Sequence, residues 1–232
     1  MNKIQTKIIA TIGPATISFP MFQALVDEGI NFVRINTAYG DQAQYDLILD
    51  HINRATGAEK VKVILDIKGM EILKYARKNK IDTIALSFAE TPEQIQAVRE
   101  ALPGAFVISK IETQMGVDSF DAILKASDGI MVARGDLGEA VSLEKVPPLQ
   151  KDFTRKTLAQ KKFLVTATEM LLSMVDKPEP TRAEVSDVAN AVFDHSSAVM
   201  LSEETTIGKH PIETVRIMRK IIVEAERWNR KN

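Results

Sequence analysis

An amine and two carboxylates near the middle of the chain set the first chemical question. Glu112 follows Lys110 by two residues in Ile108-Ser109-Lys110-Ile111-Glu112, and Asp136 closes another apolar run in Arg134-Gly135-Asp136. Residues two apart on an extended strand share a face, so the Lys110 ammonium belongs beside the Glu112 carboxylate. On adjacent strands, Glu112 and Asp136 can place two hard oxygen donors on one divalent cation. Mg²⁺, or Mn²⁺, suits a site with few protein ligands and coordination positions left for substrate. The glycines of Arg134-Gly135-Asp136-Leu137-Gly138 let backbone N–H groups approach an anion closely, which points to an acidic substrate. Lys110 next to the metal would stabilise negative charge on a substrate oxygen, as enolate formation requires. Thr168 could relay a proton across such a site or be a hydroxyl satisfied by backbone, and residue type alone leaves both open.

Composition narrows the partner. The 232 residues carry 30 Lys+Arg against 31 Asp+Glu, a net charge of -1, with no basic block that would suggest nucleic acid or a membrane surface. No apolar run approaches the roughly 18 residues of a membrane span, and the opening residues lack a signal peptide's apolar segment, so a cytoplasmic location is expected. With no cysteine and only His51, His195 and His210 at scattered positions, a metal must be held by oxygen. A small-molecule partner is the expectation.

The elements that must position these groups are short runs rich in Val, Ile and Ala between amphipathic stretches, the form of parallel strands covered by helices. Eight such runs occur: Lys7 to Gly13, Phe32 to Thr37, Val61 to Ile67, Thr83 to Phe88, Phe106 to Ile111, Gly129 to Arg134, Phe163 to Thr168 and Ala198 to Ser202. Helical patterns between them include Ser18 to Glu28, Gln42 to Ala55, Pro92 to Leu102, Glu184 to Phe193 and Pro211 to Trp228. Prolines in Asp176-Lys177-Pro178-Glu179-Pro180-Thr181-Arg182 predict an extended loop before the seventh helix. Eight strand-helix units over residues 1–232 predict a single-domain α/β fold, the (β/α)₈ barrel, whose sites gather at the C-terminal ends of the strands. Charged or polar groups end six of the eight runs, at Arg34-Ile35-Asn36, Asp66-Ile67-Lys68, Lys110-Ile111-Glu112, Arg134-Gly135-Asp136, Thr168-Glu169 and Ser202-Glu203-Glu204. An open doubly wound sheet would carry a Gly-rich phosphate turn after the first strand, and Ile12-Gly13-Pro14-Ala15 is not one.

Several of these segments resemble the catalytic barrel of pyruvate kinase. Thr6-Lys7-Ile8-Ile9-Ala10-Thr11-Ile12-Gly13-Pro14-Ala15 is similar to its opening strand, and Ile108 to Glu112 to its lysine and metal-glutamate segment. Asp128 to Gly138 resembles its metal-aspartate loop, and Lys177 to Val192 its most recognisable signature. The resemblance implies that Glu112 and Asp136 hold Mg²⁺ and that Lys110 steadies an enolate. It implies further that the backbone of Ala133, Arg134, Gly135 and Asp136, with Thr168, contacts a substrate carboxylate, and that Arg34 faces a transferred phosphoryl group. Asn36, Asp66 and Lys68 would form a residual cation or phosphate site.

The departures from that family bear on the reaction. No lid domain is inserted between Glu71 and Ile81, and a C-terminal regulatory domain is not expected. Asn36-Thr37-Ala38-Tyr39-Gly40 stands where the family has Asn-Phe-Ser-His-Gly, so a potassium ligand is gone and K⁺ is not expected. Leu73 replaces a phosphate-binding Arg, Glu169 a Gln and Glu203 a Gly. The expected function is Mg²⁺-dependent enolate stabilisation on a pyruvate, phosphoenolpyruvate or oxaloacetate-type acid, by proton exchange, decarboxylation or an aldol-type step, without efficient ADP phosphorylation. The alternatives are a minimal pyruvate kinase and a non-catalytic metabolite-binding module. Assembly into a homo-oligomer would fit any of these.

Overall fold

The computed structural model describes residues 5–57 and 61–231. Its strands are β1 (Lys7–Thr11), β2 (Phe32–Asn36), β3 (Lys62–Ile67), β4 (Thr83–Leu86), β5 (Phe106–Ile111), β6 (Gly129–Ala133), β7 (Phe163–Ala167) and β8 (Ala198–Leu201). They follow one another in chain order around a closed parallel barrel, so the fold is the expected (β/α)₈ barrel. Six strands stop one or two residues before the ends read from the sequence, because the residues there leave the ladder for loops or helix starts. The helices are α1 (Phe19–Asp27), α2 (Gln42–Arg54), α3 (Leu73–Lys78), α4 (Pro92–Ala101), α5 (Gln114–Asp118), α6 (Phe120–Ala126), α7 (Arg134–Ala140), α8 (Val146–Ala159), α9 (Arg182–Phe193), α10 (Glu203–Thr206) and α11 (Pro211–Asn229). None among the described residues is long and apolar enough to cross a membrane.

Two compact units divide the described residues. One holds the segments up to Ile35, from Gly40 to Lys62 and from Thr168 onward. In it β1 pairs with β2 through Thr11 and Arg34 and with β8 through Ala10 and Leu201, and Ile8, Ile9, Val33, Val199 and Leu201 are buried. The other holds Asn36–Tyr39 and Val63–Ala167. There β3 to β7 pair in sequence, with Leu65, Ile67, Ile84, Ile108, Ile130, Val132 and Leu164 buried. Each such side chain contributes about 1.5–3 kcal/mol on leaving water, which is why near-continuous apolar runs specify strands covered on both faces.

Local chemistry sets the helix starts. The sequence pattern places the seventh helix from Glu184, but α9 begins two residues earlier because Thr181 caps it. The Thr181 hydroxyl accepts from the Glu184 N–H at 3.2 Å, and the Glu184 carboxylate accepts in return from the Thr181 N–H at 2.7 Å. Glu184 also accepts from the Ser173 N–H and hydroxyl, each at 2.6 Å, which ties the turn before the proline loop to the helix. Thr181→Ala is expected to lower stability by about 1 kcal/mol. Urea unfolding would show this as an earlier midpoint with an unchanged slope, and Thr181→Ser should restore it.

Candidate functional site

β5 presents Lys110 and, just past its last residue, Glu112 on one face, and the two side chains meet: Lys110 Nζ lies 2.9 Å from Glu112 Oε1. The ammonium also reaches Asp66 from β3, at 3.2 Å to Oδ1 and 3.1 Å to Oδ2. Ser87, the first residue after β4, completes the group. Its Oγ accepts from Lys110 Nζ at 3.0 Å and donates to Asp66 Oδ1 at 2.9 Å. Asp66, Lys110 and Glu112 are 1%, 6% and 2% exposed, so these charges interact with little solvent screening.

The second oxygen of Glu112 accepts from the Phe88 N–H at 2.7 Å. Phe88 has a φ of 51°, a left-handed conformation unusual for a bulky residue, at the turn that aims this amide at the carboxylate. Burial pushes the Glu112 carboxyl above its ordinary range, opposed by Lys110 and the Phe88 N–H and reinforced by Asp66. Two carboxylates around one ammonium leave an excess of negative charge in a buried place, which is the electrostatic setting a divalent cation complements. Hard oxygen donors suit Mg²⁺ or Mn²⁺.

Asp136 stands in the first turn of α7, exposed, while Ala133 is buried and caps that helix. Arg134 donates from Nε to the Ala167 carbonyl at 3.2 Å, and Gly135 is half-buried. Among the described residues, no group of three or more His, Cys, Asp or Glu is placed to hold a metal. Asn36 Oδ1 accepts from the Ala38 N–H, and Thr37 donates its hydroxyl and N–H to the Asp66 carbonyl at 2.8 and 3.0 Å. Lys68 is exposed, with Nζ 4.9 Å from the Phe88 ring centroid.

In the other unit, buried Arg34 donates from Nη1 to the Thr11 hydroxyl at 3.2 Å. Thr168 and Glu169 are consecutive left-handed residues, with φ of 68° and 53°, a costly geometry for a β-branched side chain. Glu204, which the sequence reading placed at the end of the eighth strand without a role, is fully buried and accepts from the Leu171 N–H at 3.0 Å and the Ser202 N–H at 2.7 Å. Sequence reasoning also missed Ser87 and Thr11. Both belong to the two strands whose ends carry no charge, and the available signal was a hydroxyl at a strand's C-terminal end.

The raised Glu112 carboxyl gives a pH signature. A group whose folded pKa lies above its unfolded value contributes stability that is full below the unfolded pKa and lost as pH rises through the folded one. The difference in unfolding free energy, native chain minus Glu112→Gln, is therefore expected to fall as pH rises from the ordinary carboxylate range. Paired urea titrations in metal-free buffer across acid to neutral pH would measure it, and a pH-independent difference contradicts the assignment.

A family model described as pyruvate kinase, barrel domain, matches residues 3–74 and 70–215. A pyruvate kinase of Chlamydia trachomatis serovar D is 45% identical over 183 residues, covering 75% of this chain and 38% of the relative. One of Chlamydia pneumoniae is 40% identical over 220 residues, covering 88% and 44%. One of Bacillus licheniformis is 30% identical over 334 aligned positions, covering 96% of this chain and 57% of the relative. That alignment is longer than the chain itself, so it spans inserted positions. The chain covers 38% to 57% of the length of these relatives.

Proposed function

Because the chain belongs to the pyruvate kinase family through its barrel domain, we propose that it binds phosphoenolpyruvate or pyruvate beside Mg²⁺ and stabilises the enolate with Lys110. The carrying observation is the Lys110 ammonium held within 3.2 Å of Asp66, Ser87 and Glu112, with both carboxylates buried. A preorganised cation in a place of low dielectric stabilises developing oxyanion charge without reorganising when charge appears. Glu112 and Asp136 would hold the Mg²⁺, which when bound supplies a positive centre for substrate oxygens. The Ala133 to Asp136 backbone and Thr168 would receive the substrate carboxylate, and Arg34 the phosphoryl group. Asn36, Asp66 and Lys68 would remain a cation or phosphate site, although Asp66 already partners Lys110. Ala38 brings no oxygen donor from its side chain, and K⁺ is not part of this proposal.

Phosphoryl transfer to ADP is the direction the relatives favour, since each is named a pyruvate kinase. It takes precedence over decarboxylation and aldol-type chemistry, which only the reactivity of an enolate supports. Residues 68–72 alone connect β3 to α3, and Leu73, where the family has a phosphate-binding Arg, is packed in the core at 2% exposure. A rim without an inserted lid admits water, and phosphoryl transfer depends on excluding it, so a slow kinase is the expected form.

Two assays test this on one preparation: ATP formation from ADP and phosphoenolpyruvate, and Mg²⁺-dependent entry of solvent deuterium into the pyruvate methyl group. Exchange together with slow ATP formation supports a minimal kinase. Exchange alone leaves the enolate half of the reaction. The absence of both, with pyruvate or oxalate still binding, would make the chain a metabolite-binding module.

A further inference from the structure

An ammonium group has three N–H bonds, and Lys110 has three acceptor groups around it, Asp66, Ser87 and Glu112. Every donor is engaged within the protein, so stabilising a substrate oxygen requires that one partner release the lysine. Glu112 is the partner that the proposed metal role would draw away. Asp66 and Ser87 are linked to each other as well as to the lysine, through the 2.9 Å bond from Ser87 Oγ to Asp66 Oδ1.

We propose that Ser87 is a positioning residue, which with Asp66 anchors the Lys110 ammonium when Glu112 turns to a cation, leaving one N–H free for the substrate oxygen. The inference rests on the enolate function proposed above. The directions of the bonds support it. Lys110 has no acceptor, so the hydroxyl must accept from it, and the one proton of Ser87 is then committed to Asp66. The β-sheet register supports it too. Asp66 lies level with Ala85, and Ala85 with Ile108, so Asp66 sits two residues below Lys110 across β4. Leu86 lies level with Ser109, so Ser87, one residue beyond β4, stands level with Lys110, and its Oγ meets the same ammonium that reaches Asp66. Held only by Asp66, the ammonium could swing about a single carboxylate. Two anchors fix its direction. Ser87 is half-buried, so this anchor stands where the otherwise buried group meets the outside.

The side-chain ammonium of Lys110 can be followed by ¹H–¹⁵N NMR on the full chain, its signal assigned by its loss in Lys110→Met. With Mg²⁺ added, the native chain should keep a protected ammonium signal. In Ser87→Ala its exchange with water should quicken about tenfold, the effect of one lost hydrogen bond to a charged group, and Ser87→Thr should restore it. Asp66→Asn, which keeps the shape, should loosen the signal in the same direction and serves if Ser87→Ala does not fold. In the deuterium-exchange assay, Ser87→Ala should lower kcat about tenfold with KM within a factor of two. Unchanged ammonium exchange in both Ser87→Ala and Asp66→Asn overturns the anchor. The NMR measurement needs no turnover, so a native chain inactive in deuterium exchange would defeat the enolate function while still deciding whether Ser87 holds Lys110.

Discussion

Lys110→Met is expected to reduce Mg²⁺-dependent deuterium exchange into pyruvate about a thousandfold, the scale of removing a preorganised oxyanion donor. It should also destabilise the chain. The substitution leaves Asp66 and Glu112 buried with their shared ammonium gone, and breaking a buried pair by removing one partner costs about 3–5 kcal/mol. The sign of the pH dependence follows. Without Lys110 the attraction that lowers the Glu112 carboxyl is lost, while burial and Asp66, which raise it, remain. A carboxyl raised further contributes stability that is full in acid and lost as pH rises through its folded pKa, so the deficit of Lys110→Met should be smaller near pH 5 than near pH 8. Deuterium exchange by NMR and urea unfolding at those two pH values give both numbers from one variant. A loss below tenfold in exchange would remove Lys110 from the chemistry. A deficit that shrinks as pH rises would mean that the two carboxylates do not depend on it.

Much of this was legible in the sequence, and the reasons differ by level. The strands were readable because a parallel strand covered on both sides needs apolar residues at consecutive positions, as in Val63-Ile64-Leu65 and Ile130-Met131-Val132. Their ends were less so, since Gly13, Thr37, Ser87 and Phe88 continue the pattern but leave the ladder. The pairing of Lys110 with Glu112 follows from the period of two along a strand. The approach of Asp66 does not, because it depends on the register across β3, β4 and β5, which no local pattern encodes. Ser87 was hidden for a further reason: hydroxyls after strands are common and usually satisfied by backbone, so only its two side-chain partners distinguish it.

Leu73 shows the converse, a site difference that the fold explains. A residue read as a lost phosphate contact turns out to serve the core at the start of α3, 2% exposed. With five residues between β3 and α3, that helix begins almost directly from the strand, and its first residue turns into the packed interior. Restoring an arginine there would bury a guanidinium, so the position cannot be returned to phosphate binding by one substitution without a large cost in stability.

Glu204→Ala should cost about 3 kcal/mol, because it leaves two buried N–H groups, of Leu171 and Ser202, without their acceptor. That is more than a hundredfold in the folding equilibrium. The importance of Glu204 lies in where the four-residue α10 stands. Thr205 in the same turn donates its hydroxyl to the Thr11 carbonyl and Thr16 donates to the Thr205 carbonyl, both at 2.8 Å, so one turn fastens the loops that follow β1, β7 and β8. Gly13 closes against it so tightly that a Cβ there would come within 2.5 Å of Thr206. The Leu171 bond follows the left-handed pair Thr168 and Glu169, and it helps to hold a strained segment that would otherwise relax. Burial pushes the Glu204 carboxyl up, against the pull of the two N–H donors. Glu204→Gln keeps one acceptor oxygen but turns an amide N–H₂ toward the second donor, so it should recover only part of the loss. Urea unfolding of both variants separates the cases: equal stability of Glu204→Gln and the native chain would show that one hydrogen bond suffices, and a deficit under 1 kcal/mol in Glu204→Ala would show that neither bond matters.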